Sequence, residues 1–223
     1  WVHGGAFLHG CGAEKEFDGE QVARHGVILV TINYRVGALG FFAHPDLAAE
    51  NPEGISGNYG IYDQIAALTW CRQNIASFGG DPDNITAAGQ SAVCMSVQIL
   101  ISSPLTKGMI RRAILQSGGG LNGLNRDFSQ ASREAVSKKL MEALGASTIE
   151  EMRAIPGEKI AEVQYTIRAE DGLCWTPVVD GVLLTAPVDD VARAGGAHDI
   201  DYMIGCTGDD IGADARRLEY SAV

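Results

Sequence analysis

Positive charge is scarce in this sequence. Its 223 residues hold 17 lysines and arginines against 28 aspartates and glutamates, a formal net charge of −11. A surface of that sign repels phosphates, so no nucleic-acid partner is expected. Long apolar runs are missing too: no window approaches the roughly 18 uninterrupted apolar residues of a membrane-spanning helix, so no membrane span is expected. The five cysteines, Cys11, Cys71, Cys94, Cys174 and Cys206, are widely spaced and include no C-x-x-C pair. Their odd number leaves at least one without a partner in the chain, and the set reads as reduced thiols rather than a disulfide framework. No cluster of histidine, cysteine and carboxylate has metal-ligand spacing, so neither a metal nor an organic cofactor is expected. Repeats and low-complexity tracts are absent as well. What the sequence does have is 46% hydrophobic residues, enough for one sizeable core.

The patterning is that of an α/β chain. "VILVTINY" (27–34) is a continuous β-branched run, as expected of a strand buried on both faces of a parallel sheet. Residues 37–60 are rich in Gly, Pro, Asn and Glu and read as loop with short turns. From Asp63 to Phe78 apolar residues recur at helical spacing until Gly79-Gly80 closes the segment. "NITAAG" then predicts a short strand, "AVCMSVQILIS" an apolar helix and "RRAILQSGGG" (111–120) a second strand running into glycines, together a βαβ unit. Between 121 and 173 the texture becomes amphipathic and helical, with Glu134 four residues before Lys138, and reads as an insertion over the sheet or an ordinary surface helix pair. "TPVVDGVLL" (176–184) reads as extended with a turn at Asp180-Gly181, and "DYMIGC" (201–206) as another buried strand followed by the acidic loop "TGDD".

Chemistry concentrates in "NITAAGQSAVCMS", Asn84 to Ser96. Gly89, Ser91 and Ala92 sit between a strand and a helix, as a nucleophile elbow requires. Such a turn lifts a serine hydroxyl off the sheet edge and aims the following N–H and the positive helix end at a developing oxyanion. The second glycine of G-x-S-x-G is replaced by Val93. A branched side chain there is expected to crowd the helix against its strand at a cost on the order of 1–3 kcal/mol. The expectation is lowered activity, raised again by glycine at 93. At the other end, "WVHGGAFLHG" places Gly4-Gly5-Ala6 after a short apolar start, a glycine loop able to turn backbone N–H groups inward.

With "WVHGGAF", "VTINYRVGALGF", "SGNYGIYDQIAAL", "NIASFGGDPDNIT", "GQSA", "ILQSGG" and "PVVDG" in this order, the chain resembles the type-B carboxylesterase family, the cholinesterase and para-nitrobenzyl-esterase group. "FGGDPDNIT" before "GQSA" is the most specific of these matches, and Gln90 resembles the bacterial members, where cholinesterases carry Glu. The resemblance implies an α/β-hydrolase fold: a mostly parallel central sheet with flanking helices. It implies a single catalytic domain over 1–223, incomplete at both ends, with 121–173 as a helical insertion. It also implies hydrolysis of small to medium neutral carboxylic esters through an acyl-enzyme. Ser91 matches the nucleophile. Asp210, in "IGCTGDDIG", matches the acid, with Asp standing for the family's usual Glu and Asp209 as the neighbouring competitor. The N–H groups of Gly5, Ala6 and Ala92 match the oxyanion hole, Gly4 a supporting turn residue, and Ser117 a serine beside the acid or equally a capping serine.

The family's triad histidine follows the acid, and none of His3, His9, His25, His44 and His198 does. His3 is expected to be structural and His198 a solvated loop residue. Without an imidazole the serine lacks its general base, so the sequence is expected to be a fragment. Two other readings stay open: a non-catalytic, cholinesterase-like binding protein, and an inactive truncated product. Compartment and oligomeric state are not legible, though the cytoplasm is favoured over other compartments.

Overall fold

The computed structural model describes residues 1–118 and 128–207. Three strands and nine helices are assigned among them. In chain order they are α1 (Glu20–Arg24), α2 (Gly37–Phe41), α3 (Pro45–Glu50), α4 (Tyr59–Asn74), β1 (Thr86–Gln90), α5 (Ala92–Ser102), β2 (Arg112–Gln116), α6 (Gln130–Leu144), α7 (Ile149–Ala154), α8 (Gly157–Asp171), α9 (Val188–Arg193) and β3 (Asp201–Gly205). β1, β2 and β3 pair in that order and run parallel, with Gln90 opposite Gln116 and Gln116 opposite Gly205. Val2 extends the array on the far side of β1, bridging Gly89 on one flank and Ile32 on the other, both in parallel. The result is a parallel sheet with helices against it, the α/β-hydrolase arrangement expected from the sequence.

The βαβ unit forms for the reason its sequence suggested. α5 is apolar on every side, and ten of its eleven residues are buried, from Ala92 and Val93 to Ser102. A helix of that kind is stable only when wrapped by other elements. β1 and β2 flank it on one side and α4 and α9 on others. Val97, Ile99 and Leu100 join Ala113 and Leu115 of β2 in the core.

Several expectations differ from the structure. The run 27–34 pairs only at Ile32, and Val27 and Ile28 are 53% and 44% exposed. It lies at one flank of the array, joined to the Trp1–Val2 segment, and its exposed Val27 and Ile28 show that it is not buried on both faces. β3 is a strand, but all five of its residues are exposed, Met203 at 67%. Within 37–60, read as loop, stand the short helices α2 and α3. α3 begins with Pro45 in its first turn, and its N-cap His44 accepts the Asp46 N–H through Nδ1 at 3.1 Å. α4 starts at Tyr59, four residues before Asp63, and tightens into a 3-10 turn over Ile75–Phe78, capped by left-handed Gly79. On α6 the i,i+4 ion pair is Lys138 with Glu142 at 3.9 Å, while Glu134 accepts from Gln130 Nε2 at 3.3 Å. The segment 176–184 forms no strand or helix, and it bends after Asp180, at Gly181 with φ 79°, where a turn was expected. There Asp180 Oδ1 accepts the N–H groups of Val182, Leu183 and Leu184, and Asn58 holds Val178 from both its N–H and its carbonyl.

Candidate active site

The sheet delivers Ser91 to its C-terminal edge, the side on which parallel α/β sheets bind ligands. Ser91 follows the last residue of β1 and precedes the first of α5, with φ 66° and ψ −132°. A non-glycine residue rarely adopts that conformation, which costs on the order of 1–3 kcal/mol and persists only where neighbours impose it. The neighbours here are specific. The Ser91 N–H donates to the Gln116 carbonyl at the end of β2 at 2.9 Å, and the Ser91 carbonyl accepts the Cys94 N–H at 2.9 Å. Gly118 closes the third side: a Cβ on it would stand 2.4 Å from the Ser91 oxygen. Gly89 makes room on the fourth, since a Cβ there would fall 2.7 Å from Val93 Cγ1.

That last distance bears on Val93. Its side chain is fully buried, in the space that Gly89 leaves empty. The helix and strand therefore approach through one glycine rather than two. Ala92 is 4% exposed at the start of α5, and no acceptor for its N–H is recorded among the described residues.

The glycine loop lies beside the elbow. A Cβ on Gly4 would stand 4.0 Å from Ser91 Cβ and 3.3 Å from the Gln90 carbonyl oxygen. Gly5, Ala6 and Phe7 follow with φ of 111°, 56° and 61°. Three consecutive positive φ values make a tight left-handed turn, a conformation that residues other than glycine rarely adopt. The Gly5 carbonyl accepts the N–H groups of Leu8 and His9 at 2.9 and 3.2 Å, which closes the turn. Glycine is required at Gly5 and Gly10, where a Cβ would lie 2.1 Å from the His9 oxygen and 2.6 Å from the Gly4 oxygen respectively. His3 anchors the loop from beneath. Its ring is buried, stacks on Tyr34 at 4.6 Å, and donates from Nδ1 to the Gly4 carbonyl at 2.9 Å. Tyr34 in turn donates from its hydroxyl to the His3 carbonyl at 3.2 Å, and burial pushes its pKa well above the ordinary value, keeping it a neutral donor.

The Ser91, Gly4, Gly5, Ala6 and Ala92 positions named from the sequence are thus neighbours at one sheet edge. Ser117 has a second strained backbone, φ 54°, and its N–H donates to the Gly205 carbonyl at 2.8 Å. Through that bond the end of β3 leaves the sheet beside the end of β2. Asp209 and Asp210 lie outside the described residues. Gly118, within "ILQSGG", has no side chain to mark it in the sequence, and its part in the site shows only in its closeness to the Ser91 carbonyl.

All five histidines are placed, and none of their recorded partners is Ser91. His198 is not a solvated loop residue: its N–H donates to the Ile101 carbonyl at 2.8 Å and its Nε2 to the Ser103 carbonyl at 3.0 Å. The Ile101 carbonyl lies in the last turn of α5, where a donor is needed, and the Ser103 carbonyl just beyond it also accepts from Thr106. His44 caps α3, His25 follows α1, and His9 is exposed on the glycine loop. All five cysteines are free thiols. Among the described residues there is no cluster able to hold a metal ion and no helix long and apolar enough to cross a membrane.

Known proteins resemble this chain in sequence and in fold. The carboxylesterase family model matches residues 1–220. Fumonisin B1 esterase of Sphingopyxis macrogoltabida is 40% identical over 232 residues, which takes in all of this chain and 41% of that protein. Para-nitrobenzyl esterase of Bacillus subtilis is 35% identical over 218 residues, 94% of this chain and 43% of that one. In three dimensions, a carboxylesterase from Geobacillus stearothermophilus superposes with a TM-score of 0.81 at 40% identity, over 92% of this chain and 42% of the other. The chain spans about four-tenths of the length of these relatives. With a family match over almost its whole length, and a strained serine elbow beside a glycine loop at the sheet edge, the chain belongs to the carboxylesterase family.

Proposed function

We propose that this protein is a serine carboxylic-ester hydrolase acting through an acyl-enzyme on small to medium neutral esters. The observation that carries the reading is the conformation of Ser91, held at φ 66° by β2, Gly118 and α5 beside the glycine loop. Strain at a residue with a nucleophilic hydroxyl, imposed from several sides, is what a nucleophile elbow needs and what an ordinary turn serine lacks. The relatives named above as esterases support the same class of substrate.

In this reading Ser91 Oγ attacks the ester carbonyl carbon. The tetrahedral oxyanion is held by the N–H groups of Gly5, Ala6 and Ala92, and its collapse expels the alcohol and leaves Ser91 acylated. Water then adds to the acyl carbon and releases the acid, regenerating the serine hydroxyl. Asp210 orients the base. The base is an imidazole brought to the Ser91 hydroxyl. Residues 1–223 are taken as one catalytic unit with 121–173 as its helical insertion. No cofactor enters these steps.

The test is turnover of para-nitrophenyl butyrate by the full-length protein and by its Ser91→Ala variant. Loss of turnover in a folded variant supports the reading. Equal turnover in both, or none in the folded parent, removes it and favours a binding protein built on the same fold.

A further inference from the structure

We propose that Gln164, on α8, is a positioning residue for the oxyanion loop, acting through the N-terminus of α2; the proposal rests on the esterase reading above. The loop is closed by its own bonds from Leu8 and His9 to the Gly5 carbonyl, but its conformation is costly. Ala6 and Phe7 lack the freedom of glycine yet sit at φ 56° and 61°. Something outside must fix them.

That something is α2. The Phe7 carbonyl accepts the Gly37 N–H at 2.6 Å, and the Phe7 ring meets Phe41 edge-on, with centroids 5.2 Å apart and planes at 70°. Phe7 is 1% exposed. α2 is only five residues long and receives no side-chain cap from Val36. Its first N–H groups therefore need acceptors from elsewhere. Gly37 finds one in the loop. Ala38 finds one in Gln164 Oε1, at 2.7 Å and 126 residues away in sequence. The two adjacent N–H groups of one helix end tie the oxyanion loop on one side to α8 on the other.

The fit around Gln164 is close. Its side chain is buried, and a Cβ on Gly37, whose φ is 60°, would stand 2.1 Å from Oε1. Gly37 is thus shaped for the amide. Without that acceptor the Ala38 N–H would be buried and unpaired, a state proteins avoid. α2 would then have to shift to find another partner, and Gly37 would carry the Phe7 carbonyl with it. The displaced groups would be the Gly5 and Ala6 N–H groups, whose value in the transition state depends on position.

The experiment compares the full-length protein with Gln164→Leu and Gln164→Glu. Leucine keeps the volume and removes the acceptor, whereas glutamate restores an acceptor oxygen. Each is assayed for para-nitrophenyl butyrate turnover and for affinity toward two ligands. One is a trifluoromethyl ketone, which Ser91 converts to a tetrahedral oxyanion adduct; the other is the amide isostere of the substrate, which binds without one. In Gln164→Leu, kcat is expected to fall about tenfold with KM within twofold. Affinity for the ketone is expected to fall in step while affinity for the amide is unchanged, and Gln164→Glu is expected to recover most of both. Unimpaired kcat in Gln164→Leu overturns the proposal. So does an equal loss of ketone and amide affinity, which marks a general structural role. A parent without Ser91-dependent turnover overturns the esterase reading, and this proposal with it. A parent with turnover that Gln164→Leu leaves intact overturns this proposal alone.

Discussion

β1 and β3 are five-residue strands of one parallel sheet, aligned by the same register through β2; Ser91 directly follows the first, and Asp210, the acid expected from the sequence, stands five residues beyond the second along the chain. Their surroundings differ completely. The turn after β1 is enclosed by α5, the glycine loop, Gln116 and Gly118, and its serine is forced to φ 66°. β3 is exposed along its whole length, and a Cβ added to Gly205 would touch nothing within 4 Å. Backbone pairing fixes where a strand end points. Packing decides whether the residue beyond it can be held in a costly conformation. Of these two strand ends, that of β1 has both.

Mutations can sharpen or break this contrast. Ser91→Ala should have the largest effect, a loss of ester turnover on the order of 10⁴-fold or more with the fold retained, measured by steady-state kinetics and circular dichroism. A glycine pair comes next. Gly118→Ala places a Cβ 2.4 Å from a backbone oxygen that cannot yield, whereas Gly205→Ala meets nothing. Urea unfolding should show a loss of about 3 kcal/mol or more for the first and within about 0.5 kcal/mol for the second. Equal losses would mean that the two strand ends are equally enclosed.

A core pair follows. Ile99→Ala, on buried α5, should cost about 2–5 kcal/mol, and Met203→Ala, on exposed β3, within about 0.5 kcal/mol. Val93→Gly tests the packing beside the elbow. Val93 fills the space next to Gly89, so its removal should lower stability by about 2–4 kcal/mol through lost burial and helix propensity. If activity rises while stability falls, valine crowds the oxyanion donor. If both fall, the single glycine at position 89 suffices.

The smallest effect concerns the ion pair behind the loop. Asp63 is opposed by its burial, but hydrogen bonds from the Arg35 side chain and backbone outweigh that and hold its carboxyl below the ordinary value. A lowered folded-state pKa contributes stability that is full above the ordinary value of about 3.9 and is lost as pH falls through the lowered one. Asp63→Asn should therefore cost about 1 kcal/mol at neutral pH, discounted for exposure. That difference should shrink in melting curves taken below about pH 4.

The elbow was legible in the sequence because its causes are local. Small residues at Gly89 and Ala92, β-forming residues before and an apolar run after them determine a turn within a dozen residues. β1, α5 and β2 follow from the same stretch. The degree of cover was not legible. Apolar composition at 27–34 and 201–206 reports a preference for burial, while cover depends on what stands opposite, and there the described residues supply little. α2 and α3 escaped notice because helices of five or six residues have no period to read; distant acceptors and caps such as Phe7, Gln164 and His44 fix them. His198 looked like a polar loop residue because its partners, Ile101 and Ser103, lie about a hundred residues earlier. The i,i+4 rule named Glu134 for Lys138, but Glu142 is equally spaced on the other side and is the partner found.

The central claim is that Ser91 is an activated nucleophile, and the most direct measurement is covalent labelling of the full-length protein with a fluorophosphonate, followed by peptide mass spectrometry. The account predicts one equivalent of adduct on the peptide containing Ser91, none in Ser91→Ala, and loss of ester turnover in proportion to labelling. A folded parent that takes up no label at Ser91, or that keeps full turnover when labelled there, would contradict it.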